Sequence, residues 1–355
     1  MDSDHYLSRF AGSDEKPFPN DVQNVVMSYL SLRDLKALRE VDALGEAIRD
    51  HLRSRVARML ASFGLDGSST LKVMKTSNTV ISGSAALEIV VPGACKPNDL
   101  NLYCPRGKSS EMIVHLLRNH YILVGETPSA HEVAEGCTNH HYPARNGVRQ
   151  LFRFSHTTHP FTLTLVESIS ESPLLPILFF HSTYVMNYCS STEVACLYPE
   201  MTHDAKGLHN RSEAFDFLHK RETLRRWDDC GIDLVWNCEL WHSEHYSKRA
   251  SRRHPGECQR VVRSIHDDTT LRIGYDRGSS IPSNESRVEW RLGFFDLKAR
   301  GVEHHDTQVL TFGSGPPRRY TNNKRSHRCL DWDTFWEFTN MNTKVVQGAR
   351  AGSFP

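Results

Sequence analysis

Val80-Ile81-Ser82-Gly83-Ser84-Ala85-Ala86-Leu87, followed by Pro97-Asn98-Asp99-Leu100-Asn101-Leu102-Tyr103, decides the fold of this 355-residue chain. A short β-branched run meets a Gly-Ser turn and an apolar helix follows. The turn at Pro92-Gly93 then leads to a second strand. Residues i and i+2 of a strand share a face, so Asp99 and Asn101 point the same way. Downstream, the pattern predicts a helix from Ser110 to Asn119 and strands at Tyr121 to Val124, Gln150 to Ser155 and Phe161 to Val166. Strands mixed with helices in this way define an α+β layer structure with a mixed α/β core.

Working outward, residues 127–147 are rich in His, Gly, Pro and Asn and read as a long loop or a loop with one hairpin. Leu174 to Phe180 and Arg211 to Asp228 read as helices, and Gly231 to Trp236 as a strand. Leu271 to Tyr275 and Val288 to Leu292 are further strand-like pieces in an otherwise irregular C-terminal region. The aromatic tail holding Trp332, Phe335, Trp336 and Phe338 reads as a segment packed on the body.

Upstream, three short helices are legible. Val22, Val25, Val26, Tyr29 and Leu30 recur at the helical period behind Pro19 and Asn20-Asp21. Ser31 stands three residues before Asp34, a capping-box spacing that opens a run carrying Leu35, Leu38 and Val41. Ile48, Leu52, Val56, Met59, Leu60 and Phe63 form a third stripe that Gly64 ends. The polar stretch from Gly64 to Ser69 reads as a boundary. The division is therefore a helical module at 1–66, an α/β core at 67–229 and a strand-containing extension at 230–355.

The Gly83-Ser84 turn with Asp99 and Asn101 resembles the core of the nucleotidyltransferase superfamily. That family places two carboxylates one residue apart on the second strand and a third acid on a later strand, gripping magnesium while the turn faces the phosphates. Here the second position holds Asn101, and Thr162 or Thr164 stands where the third acid is expected, with Glu167 at the strand end. One carboxylate neutralises too little of a metal-triphosphate assembly, so the resemblance implies a non-catalytic core. The alternative is a divergent magnesium-dependent nucleotidyltransferase binding a nucleoside triphosphate. Ser84, Asp99, Asn101 and Glu167 would then carry catalysis, Gly83 and Ser84 the phosphates, and Asp99 and Asn101 the metal.

The N-terminal elements Phe18-Pro19, Ser28-Tyr29-Leu30 and Asp34-Leu35 resemble the F-box, although Phe18 replaces the common Leu and the third helix ends without a Trp. The resemblance implies docking to the Skp-type adaptor of a cullin-RING ubiquitin ligase through Phe18, Pro19, Val22, Val26, Leu30, Leu35 and Leu38, while the body presents an unknown target protein. The segments Phe180 to Tyr188 and Cys196 to Pro199 are similar to fungal proteins that pair an F-box-like start with this transferase-like core.

Lys and Arg total 43 against 42 Asp and Glu, so no global field favours nucleic acid or an anionic membrane. Arg318-Arg319 and Lys324-Arg325 are short basic runs of the solvated-loop kind. The acidic start Met1-Asp2-Ser3-Asp4 and the interrupted apolar stretch from Leu174 to Tyr188 predict neither secretion nor a membrane span. Nine scattered cysteines fit reduced thiols in the cytoplasm or nucleus. Cys137, His140 and His141 have no partner pair at zinc spacing, so no metal or other cofactor is expected. His181, on an apolar stretch, reads as a core histidine.

Overall fold

The computed structural model describes residues 20–40, 44–126, 146–210, 231–235, 257–276, 288–298, 301–305, 307–312 and 317–321. Phe18, Pro19, the Cys137 cluster, the Arg211 to Asp228 segment and the aromatic tail lie outside them, as does nearly all of the 127–147 stretch.

The three upstream helices are α1 (Asn20–Tyr29), α2 (Leu32–Arg39) and α3 (Gly45–Ala61). Ser31 caps α2 reciprocally with Asp34, as the spacing predicts. The expected boundary after Gly64 is instead a tight turn. Gly64 takes φ +75°, a conformation that favours glycine, and Asp66 accepts the Ser69 N–H at 2.7 Å to start α4 (Gly67–Ser77). Only glycine fits at the head of α4, because a Cβ on Gly67 would come within 2.7 Å of the Ala57 Cβ on α3.

The decisive stretch folds as β1 (Val80–Ser82), α5 (Ser84–Val90) and β2 (Asp99–Cys104). Then come α6 (Ser109–Arg118), β3 (Tyr121–Glu126), β4 (Val148–His156) and β5 (Thr162–Ser168). In place of the helix expected from Leu174 to Phe180 there is a single 3-10 turn at Ile177–Phe179. Pro176 supplies no N–H and disfavours helical backbone at Leu175, so no longer helix can run through. The chain continues through β6 (Asn187–Cys189), β7 (Glu193–Cys196), the five-residue helix α7 (Pro199–His203) and β8 (Lys206–Leu208). It ends in β9 (Asp233–Val235), β10 (Arg263–Ser264), β11 (Leu271–Gly274), β12 (Val288–Arg291), β13 (Phe294–Lys298), β14 (Gly301–His305), β15 (Gln308–Thr311) and β16 (Arg318–Thr321).

One mixed eight-stranded sheet organises these pieces, in the order β11-β7-β6-β1-β2-β5-β4-β3, with β2 and β5 parallel and the other pairs antiparallel. Alternation along each strand sends Ile81, Leu100, Leu102, Leu163 and Leu165 to one face, where they share a single core with Leu35, Ile48, Leu52, Val56 and Leu60 of the upstream helices. Val80, Tyr103, Val166 and Tyr188 face the other way, into a second core with Trp290, Val309 and Tyr320 from a four-stranded sheet of β10, β12, β15 and β16.

Two sequence expectations change as a result. The helical module packs directly on the sheet, and the C-terminal region supplies the edge strand β11 of that same sheet. Arg272 on β11 makes bidentate contacts to Glu193 on β7, a nearly buried carboxylate that also accepts the Tyr188 hydroxyl. Among the described residues no helix is long and apolar enough to cross a membrane.

Candidate functional site

The first candidate surface is the outer face of α1. Met27 turns into the core and is 8% exposed, whereas Val22, Val25, Val26 and Tyr29 are 38%, 58%, 50% and 79% exposed. These four recur at i, i+3, i+4 and i+7, so the apolar stripe legible in the sequence lies on the outside of the helix. Of the residues assigned to adaptor docking, Val22 and Val26 are on this face. Leu30 and Leu38 are half-buried against the core, and Leu35 is fully buried. Leu35 is thereby corrected from a docking residue to a packing residue: its side chain has no surface left to offer. Val25 and Tyr29, which the sequence stripe already contained, are exposed on the same face as Val22 and Val26.

Arg55 holds α1 in position. This buried α3 guanidinium donates to the Met27 carbonyl at 2.6 Å, which also accepts the Leu30 N–H, to the Leu30 carbonyl just past the end of α1 at 3.0 Å, and to the Ile89 carbonyl at the end of α5 at 2.9 Å. Burial, then neighbouring Arg58, draws its pKa down to about 10, so it stays charged at neutral pH. The same burial, with Arg55 adjacent, pushes His51 down to about 4 and keeps that imidazole neutral. Nothing in the arginine-rich α3 sequence singles out Arg55 from Arg49, Arg53 and Arg58.

The second candidate is the Gly83 turn. Gly83 takes φ +73°, and a Cβ placed on it would stand 3.6 Å from the Asn101 amide nitrogen. Asn101 donates to Asp99 Oδ2 at 2.8 Å, and β-sheet register sets Asn101 beside Ser82 on one side and Thr164 on the other. Gly83, Ser84, Asp99 and Asn101 thus come together. The lone carboxylate of the group is engaged by the Asn101 amide two residues along the same strand.

Glu167 does not join them. Register pairs it with Cys104, on the opposite face of the sheet from Asp99 and at the far end of β2. There it accepts the Gly107 N–H at 2.9 Å and the Ser109 hydroxyl at 2.5 Å, fastening the turn that leads into α6, and pairs with Arg149 at 2.6 Å. It is 2% exposed, and its role as an auxiliary metal ligand is corrected to a structural one. His181 is half-buried, and desolvation draws its imidazole pKa down to about 4, so the ring is neutral.

A further exposed apolar set comprises Val114 and Leu117 on α6 and Ile122, Leu123 and Val124 on β3, next to residues outside the described ones. No group of His, Cys, Asp and Glu among the described residues has the arrangement of a metal centre. No family model, curated protein or solved structure matches the chain.

Proposed function

We propose that the chain is an F-box-like adaptor, docking a Skp-type subunit of a cullin-RING ligase through the outer face of α1 and presenting a target protein on its body. The observation that carries this reading is the bare stripe of Val22, Val25, Val26 and Tyr29 on a helix whose opposite side is anchored by Met27 and Arg55. A rigid helix with four exposed apolar residues on one face suits recognition by insertion into a groove. The test is co-purification of the adaptor with the full chain. Val26→Asp and Tyr29→Ala, both at exposed positions, are expected to weaken capture at least about tenfold, the effect of losing an interface hot spot, while leaving the thermal melt unchanged. Absence of capture by the unmodified chain, where an authentic F-box protein binds, refutes the proposal.

The convergence of Gly83, Ser84, Asp99 and Asn101 keeps a divergent magnesium-dependent nucleotidyltransferase as the second reading. With one carboxylate facing a metal and triphosphate the charge balance is poor, and the body is better read as a non-catalytic scaffold. Calorimetric titration of the full chain with ATP, CTP and GTP in magnesium is expected to be flat. Saturable heat abolished by Asp99→Ala would establish the enzyme reading instead.

A further inference from the structure

α2 begins with N–H groups that its own helix cannot satisfy. Ser31 takes the Asp34 N–H; the Arg33 N–H goes elsewhere, to the His203 Nε2 at the end of α7, 3.1 Å away and 170 positions along the chain. The other ring nitrogen, Nδ1, lies 2.6 Å from the Pro199 carbonyl within α7, and a carbonyl can only accept. Both contacts hold at once in one state alone, the neutral imidazole with its proton on Nδ1 and a free lone pair on Nε2. A second proton would convert Nε2 to a donor facing another donor, at the positive end of a helix dipole.

We propose that His203 is an acid-sensitive clasp joining α7 to the first turn of α2, closed when the imidazole is neutral and opened by its protonation. The clasp stands independently of any adaptor, since it concerns the seat of α2 on the body. Burial is the chief influence on the imidazole and draws its pKa below the usual range; the Pro199 carbonyl opposes this. Of the charged groups facing it, Arg33 disfavours protonation, while Asp34 on α2 and Glu200 on α7 favour it. Arg33 and Glu200 also face each other at 3.6 Å across the joint, both well exposed, so their pairing adds little. A histidine with a depressed folded pKa contributes stability that is complete above its ordinary pKa and lost as the pH falls through the depressed value. The clasp therefore opens on acidification below neutrality.

The test is hydrogen exchange of the full chain, read on peptides covering α2 from pH 8 down through the His203 titration, which NMR of the ring locates, and normalised to intrinsic exchange. Protection of the first α2 turn is expected to fall roughly fivefold across that range, the scale of one lost helix cap. In His203→Gln, whose side-chain carbonyl accepts the Arg33 N–H without titrating, protection stays level. Equal pH dependence in both proteins, or none in the unmodified one, overturns the proposal. If His203→Gln does not fold, an NMR titration of the unmodified chain decides. A common midpoint for the His203 ring and the Arg33 amide supports the clasp; an Arg33 amide indifferent to the His203 titration refutes it.

Discussion

At the scale of single residues, the buried polar groups fasten one element to another. Arg55 ties α1 to α5, Arg272 ties β11 to Glu193, and Glu257 holds the start of α7 by accepting the N–H groups of Glu200 and Met201 at 2.9 and 3.0 Å. Glu257 is 1% exposed, and burial raises its pKa to about 7 against the pull of those N–H groups and Arg263. An acid whose folded pKa is raised binds its proton more tightly in the native state, so its contribution is complete at low pH and lost as the pH climbs through 7. The two ends of α7 thus respond in opposite directions, His203 failing on the acid side and Glu257 becoming a buried charge on the alkaline side. Glu257 alone therefore removes at most about 3 kcal/mol between pH 5 and pH 8, given 1.36 kcal/mol per pKa unit, while the desolvated neutral imidazoles of His51, His181 and His203 add stability over the acid part of the same range. The Glu257 contribution is read as a difference: thermal melts of Glu257→Gln should gain on those of the unmodified chain as the pH rises through 7, and a pH-independent difference would refute it. None of these partners was legible in the sequence, because 34, 79 and 57 positions separate the paired residues.

At the scale of elements, the sequence was most legible where periodicity and punctuation agreed. The apolar stripes of α1 and α3, the Ser31-Asp34 box and the strand-turn-helix at Val80 all lie where their patterns put them. α4 escaped because Gly67-Ser68-Ser69-Thr70 has the composition of a loop. The Asp66 cap and the packing of Thr70, Leu71 and Met74 overrode that weak preference. The α1 stripe shows the opposite limit: its period is plain, but periodicity alone does not say whether the face turns inward. The same ambiguity hid the dependence of the helical module on the sheet. Leu52, Val56 and Leu60 share one core with Ile81, Leu102 and Leu165, so a fragment ending at residue 66 would expose them to water. Such a fragment is expected to show little helix by circular dichroism, while the full chain folds. A stable, cooperatively melting fragment would restore the module as a domain in its own right.

At the scale of the molecule, two cores share one sheet as their common wall, and residues far apart in the chain complete it. β7 waits for β11, and the carboxylate of Glu193 waits for Arg272. A ribosome delivers these pieces in order. At roughly 5–20 residues per second, the stretch between Cys196 and Leu271 takes on the order of ten seconds to emerge. During that interval β7 is an open edge, with free N–H and C=O groups and an anion whose cationic partner has yet to be made. An unpaired carboxylate on an edge strand disfavours pairing with a neighbouring chain, so the charge that anchors β11 in the finished protein is of the kind that shields an open edge.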